Sequence, residues 1–315
     1  MIFAIVKYAL PVFFSLIVLE YVIYRKDGRL FPLREAGVSL LMAVIYQVLN
    51  KQNQSLLMPL HTWVFEHRLF PIPTDSWWAW IVGFFGVEFA YYWLHRFGHE
   101  VRWMWASHGV HHSPTTMTFS GAYRLGITSL LSGLFVFFLP LILIGFPPKM
   151  VFSLFAINLI YQFFLHTELF PKWGWLELYL NTPSHHRVHH AINEAYIDKN
   201  YGGVLIIFDR LFGTLAIEDD KQPITYGLLG KAPTLNPLKL FFQEWVGIAQ
   251  DVVQARSFGE ALNFAFGRPG WKPEVSTLDK SPRLVEAEGL HRATSEPATL
   301  ELSEKVYATD THYRR

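Results

Sequence analysis

The sequence predicts an all-α integral membrane protein: four to five transmembrane helices under a cytoplasmic helical cap that carries a histidine-rich site for two metals. Three observations predict it. Hydrophobic residues make up 51% of the 315 and charged residues 17%, against about a quarter charged in ordinary soluble chains. Several apolar runs approach the roughly 20 residues that a helix needs to cross a bilayer. "LHRFGHEVRWMWASHGVHH", from Leu94 to His112, crowds histidines onto the end of one such run.

The elements follow in chain order. "IFAIVKYALPVFFSLIVLEYVIY" reads as the first span, despite Lys7 and Glu20. No small-residue cleavage site follows it, so it is expected to be retained rather than removed as a signal peptide. "AGVSLLMAVIYQVLN" with "SLLMPLHTWVF" reads as a second span, or a span plus an interfacial piece, interrupted by the polar "KQNQS". "WWAWIVGFFGVEFAYYWL", residues 77–94, is the third, opened by a Trp pair of the kind that anchors at interfaces. "ITSLLSGLFVFFLPLILIGF" and "MVFSLFAINLIYQFFL" are the fourth and fifth, joined through "PPK" into a tight hairpin. "NPLKLFFQEWVGIAQDVVQA" has Asn236 as cap, Pro237 at the first helical position and apolar residues at helical spacing, the pattern of an amphipathic helix on the membrane or on the core. From about Val275 the chain turns polar and reads as a peripheral tail. The expected divisions are 1–76 for the N-terminal membrane helices, 77–220 for the histidine-bearing domain, 221–274 for the amphipathic extension and 275–315 for the tail.

Basic residues beside the spans set the orientation. Arg25, Lys26, Arg29 and Arg34 follow the first span, and Arg96 and Arg102 follow the third. With the amino terminus outside, both groups are cytoplasmic, and every histidine cluster falls at that same face. A net charge of +1 gives no reason to expect a nucleic acid partner. With no cysteine in the chain, disulfides, iron–sulfur clusters and thiolate-held haem or zinc are excluded, and any metal must use histidine and carboxylate.

Histidine supplies the site. His95 and His99 are four apart and share one helix face. His108, His111 and His112 form a second group, His186, His189 and His190 repeat its spacing, and His166 ends the fifth span. These imidazoles exceed the four to six ligands of one metal and suit two. Neutral imidazole serves iron, copper, nickel and zinc alike. His185 is read as a further ligand, an outer hydrogen-bond partner, or neither. His61, His67, His291 and His312 are left out of the site. A helical zinc protease would need histidine where Trp103 stands. A carboxylate-bridged bundle would repeat Glu-x-x-His, which occurs here only at Glu288 to His291. A membrane metal transporter would line mid-span positions instead of span ends.

Ligating histidines commonly donate their second N–H to a carboxylate or carbonyl. Glu100, Glu168, Asp198 and Asp209 lie near the boxes in sequence and are candidates. Glu88 sits two turns before His95 on the same face. An acid so deep in a span is costly, and it is expected to support the ligands or line a channel. Tyr91, Tyr92 and Trp93 are expected to pack.

The three boxes, His-x3-His and two copies of His-x2-His-His, resemble those of the fatty acid hydroxylase and sterol desaturase superfamily. "YYWLHRFGHE", "MWASHGVHH", "NTPSHHRVHHAINEAYIDKNYGGVLIIFDRLFGT", "YGL" and "GRPGWKP" are similar to its alkylglycerol monooxygenase branch, over about residues 80 to 273 and most specifically from Asn181 to Thr214. The resemblance implies two iron ions held by the nine histidines, O2, and oxidation of a C–H bond of a lipid drawn from the bilayer, by hydroxylation or desaturation, with O-alkyl cleavage of an ether lipid as one form. It implies an external reductant, a tetrahydropterin or a protein electron carrier, since the chain has no Gly-x-Gly-x-x-Gly fingerprint. Asn200, Tyr201, Gly202 and Gly203 match the family's segment after the third box, with Asn200 near the site and the two glycines expected to make a tight turn.

Overall fold

The computed structural model describes residues 2–273. The tail expected over 275–315, with Glu288, His291 and His312, lies outside the described residues. Among the described residues the regular structure is helical, and the extended pairings are two isolated bridges, Leu180 with Leu205 and Ala191 with Tyr226.

The first apolar run forms α1 (Ile2–Lys26), which closes on Gly28 at φ 69°, a left-handed stop that glycine makes without strain. α2 (Leu33–Glu66) is one continuous helix of 34 residues. "KQNQS" does not break it, because Lys and Gln are good helix formers and here they face outward. α3 (Trp77–Glu100) runs on past Leu94 and so carries His95 and His99 on its last turns. Val101 is extended and ends it, and α4 (Arg102–His108) turns away.

The fourth expected span is not a continuous helix. It is divided into α5 (Ser129–Ser132), a 3-10 turn over Leu134–Phe138, and α6 (Leu139–Ile144). Gly133 at φ 77° breaks the first join, and Pro140, lacking an N–H, sits in the first turn of a new helix. α7 (Pro148–Phe163) follows the proline bend as expected. No helix among the described residues is both long and apolar enough to cross a membrane. The polar middle of α2, the acid and the Trp and Tyr side chains of α3, and the division of the fourth run each dilute the apolar character.

Val87 and Ala90 of α3, Ile142 of α6, and Met150, Val151 and Leu154 of α7 form one core. α1 joins through Phe13, stacked 3.9 Å from Phe163. α8 (Pro183–His190) is buried along its whole length; Thr182 caps it and Pro183 opens it. α9 (Ile207–Phe212) follows. α10 (Pro237–Val253) is capped by Asn236, whose side chain accepts from the Leu238 and Lys239 amides. Its inner face sets Leu240 and Phe241 against Met42 and Val110, and Ile248 against Ala106 and Ala265 of α11 (Phe258–Phe266). Residues up to Trp271 make one compact unit.

Candidate metal centre

Nine histidines from four segments converge in two groups. His95, His99, His108, His112 and His189 form one; His111, His166, His186 and His190 form the other; within each, the ligand nitrogens lie within 4.8 Å of one another. The adjacent pairs His111–His112 and His189–His190 each send one member to either group, so the two groups are tied together.

The nitrogen geometry is not that of a hydrogen-bonded network. His108 Nε2 lies 3.1 Å from both His99 Nε2 and His112 Nε2, and His186 Nε2 lies 3.0 Å from His166 Nε2 and 3.1 Å from His190 Nε2. A ring nitrogen offers one in-plane lone pair or one proton, so it cannot satisfy two such neighbours by hydrogen bonding. Nδ1 of His95, His166 and His189 lies 2.8, 2.7 and 2.9 Å from the carbonyls of Tyr201, Gln162 and Lys199. Those carbonyls accept, so the proton is on Nδ1 and each Nε2 presents a bare lone pair. His95 Nε2 is buried without any partner. Ligand nitrogens around a metal at roughly 2.1 Å stand about 3 Å apart, which is the spacing seen. The donor set therefore fits a metal in each group. Burial pushes the His111 imidazole down to about 4 and the His189 imidazole down to about 3, so both are neutral donors at pH 7.

The backbone orients the ligands. Glu168 instead pairs with Arg29 at 2.5 Å, Glu100 with Arg96 at 3.1 Å, and Asp198 Oδ1 stands 3.8 Å from His99 Nδ1, beyond hydrogen-bond reach. The expected carboxylate partners are thus absent from these rings, because Arg29, Arg96 and Arg268 pair with Glu168, Glu100 and Asp198. Asp209 acts one step removed. It accepts from the Tyr201 and Gly202 amides at 2.7 Å each, and so fixes the carbonyl that receives His95. Asn200, left-handed at φ 59°, gives its side chain to the His185 and Ala216 carbonyls and accepts from the Ala216 amide. His185 is fully buried but belongs to neither group, and neither ring nitrogen has a hydrogen-bond partner.

Glu88 does not face the metals. Its carboxylate accepts from Asn158 Nδ2 and from the Val204 and Leu205 amides, which clamps the loop after α8 against α3 and α7. Gly202 and Gly203 make no left-handed turn. They are needed for close approach: a Cβ on Gly203 would lie 2.0 Å from Asn158 Nδ2, and one on Gly202 2.3 Å from the Leu205 carbonyl oxygen. Tyr91 and Tyr92 are buried in the packing, as expected.

Sequence reasoning passed over Asn158 and Gln162, although polar residues at i, i+4 and i+8 leading to His166 in an apolar run were a readable signal. It also passed over Arg124, fully buried beside Glu35 and bonded to Ser113 next to His112. Nothing local marks that pair.

Residues 80–214 match the family model for fatty acid hydroxylase. Over 290 residues the chain is 39% identical to alkylglycerol monooxygenase of Homo sapiens, covering 90% of this chain and 64% of that protein. It is 37% identical to the Danio rerio alkylglycerol monooxygenase over 91% of this chain and 65% of that one. A shorter match, 29% identical over 48% of this chain and 46% of the relative, is to ornithine lipid hydroxylase OlsE of Rhizobium tropici. The chain thus spans a little under two thirds of the length of these two alkylglycerol monooxygenases. No solved structure matches it. The segment that brings the nine histidines together, residues 80–214, is a fatty acid hydroxylase family domain.

Proposed function

We propose that the chain is a membrane-bound oxygenase that uses two irons and O2 to hydroxylate a lipid C–H bond, the carbon beside an ether oxygen being the favoured position. The observation that carries this reading is the pair of converging histidine groups, with five and four neutral donors and no cysteine. The bound irons would supply the O2 activation that breaks an unactivated C–H bond. The chain's own part is to hold them: neutral imidazoles leave the metals' positive charge uncompensated, and the Tyr201, Gln162 and Lys199 carbonyls fix the His95, His166 and His189 rings. C–H, O2, two electrons and two protons give C–OH and water, the electrons coming from an external reductant, a tetrahydropterin or a carrier protein. Hydroxylation beside an ether oxygen makes a hemiacetal, which collapses to an aldehyde and an alcohol. The similarity to alkylglycerol monooxygenases supports the ether-lipid form.

Membrane placement is supported by outward-facing large apolar side chains along three helices, among them Phe14, Val44, Val48, Ile81, Val82 and Phe85. Basic residues Arg25, Lys26, Arg29 and Arg34 support a cytoplasmic metal site. The test is turnover of a glycerol ether by iron-loaded protein under ¹⁸O2. Label in the aldehyde or its trapped hydroxylated precursor is expected, with loss of at least about 100-fold in His111→Ala while that variant still inserts. Absence of oxygen-dependent lipid oxidation in the wild type rejects the proposal.

A further inference from the structure

α1 does more than present an apolar face. Glu20 lies near its basic end, beside the apolar run, and is fully buried. A carboxylate taken out of water is destabilising unless hydrogen bonds meet it. Two do so here. Glu20 Oε1 accepts from the Thr167 hydroxyl at 2.6 Å, and Oε2 accepts from the Phe119 amide at 2.9 Å. Tyr24, one turn further along α1, donates to Glu168 at 3.4 Å, where Arg29 also pairs.

These partners adjoin the ligands. Thr167 and Glu168 directly follow His166. α7 ends at Phe163, so His166 lies beyond it, in a turn whose amides reach only three residues back. The Gln162 carbonyl fixes its ring from one side. On the other side its backbone is fixed by Glu20 through Thr167, whose carbonyl also accepts from Arg187, the residue after His186, at 3.3 Å. Phe119 opens the 3-10 turn Phe119–Tyr123 that follows the second histidine box. Glu20 makes no hydrogen bond to any imidazole; it acts through backbone.

We propose that Glu20 is a positioning residue of the four-histidine group. Through Thr167 and Phe119 it fixes the backbone that presents His166 and the segment that follows His111 and His112. The first helix, which lies outside residues 80–214, thereby forms part of the metal centre. The inference rests on the reading of that group as a metal site, and not on which metal or lipid is used. Leucine at position 20 would leave the Thr167 hydroxyl and the Phe119 amide unpaired in a buried site. Glutamine keeps the shape, since its carbonyl accepts from the Phe119 amide and its NH2 donates to the Thr167 oxygen.

The test counts metal per chain in the whole chain in detergent, stripped and then reloaded with Fe(II) or with Zn(II). Loss of a ligand's support weakens metal binding about 10–100-fold, so free metal is buffered about tenfold above the wild-type Kd. Glu20→Leu is expected to fall from about two metals toward one. It stays near one when combined with His111→Ala, and falls toward none when combined with the pair His95→Ala and His99→Ala. Glu20→Gln keeps about two. Thr167→Val removes the donor at similar volume and gives the same selective loss, which decides the matter if Glu20→Leu fails to insert. Phe13→Leu loosens the packing of α1 on Phe163 without touching these hydrogen bonds; it lowers the melting temperature and keeps both metals. Two metals in Glu20→Leu and Thr167→Val, or loss from both groups alike, overturns the inference. Wild type that takes zinc to the exclusion of iron rejects the oxygenase reading, while the zinc counts still decide the role of Glu20.

Discussion

Glu88 accepts three hydrogen bonds at 2.6, 2.8 and 3.0 Å, from Asn158 Nδ2 and the Val204 and Leu205 amides. All three partners are donors, so the site calls for a carboxylate. Glu88→Gln must turn an NH2 toward one of those donors and leave it unpaired, at a cost of about 1–3 kcal/mol. The expected result is a lower melting temperature and faster metal loss with little change in KM; an unchanged melting temperature would show the clamp to be dispensable. The histidines set a pH dependence. An unfolded imidazole titrates near 6.5, whereas burial holds His111 at about 4 in the folded, metal-free protein. Between those values the unfolded state binds more protons, so stability rises with pH there. His111 alone removes about 3 kcal/mol as pH falls from 7 to 4. The melting temperature of metal-free protein therefore falls across that window and is flat with respect to His111 above pH 7; a rise on acidification contradicts the neutral cage.

At the scale of elements, the loop between α8 and α9 does the most to shape the site. Its carbonyls at Lys199 and Tyr201 receive His189 and His95, which come from different helices. Asp209 and Glu88 hold its amides from either end. Gly203 lets it lie against α7. Gly203→Ala should cost about 1–3 kcal/mol from overpacking and reduce metal content, measured together by thermal unfolding and metal analysis; retention of both would mean that α7 yields. The ligands were legible in the sequence because spacing of three and four on a helix brings rings to one face. Asn236 as a cap and the proline hairpin were legible for the same local reason. The loop's role was not: the capture of histidine protons by carbonyls, in place of carboxylates, depends on which backbone passes close by. The second run was open between one span and a span plus an interfacial piece, and outward-facing Lys and Gln carry it through as one helix; the division of the fourth run was misread, since Gly133 and Pro140 interrupt it.

Across the molecule, α3, α8 and the segments at the ends of α4 and α7 deliver histidines to the same place, where they divide into two groups. His111 and His112 are neighbours that face different groups, as are His189 and His190. The outer helices present apolar side chains. The proposed function requires this arrangement to hold two irons. Protein purified anaerobically from cells supplied with iron should contain about two irons per chain, and His111→Ala, which removes a ligand from the four-histidine group alone, should fall toward one. One metal per chain in the wild type, or zinc bound to the exclusion of iron, would contradict the account.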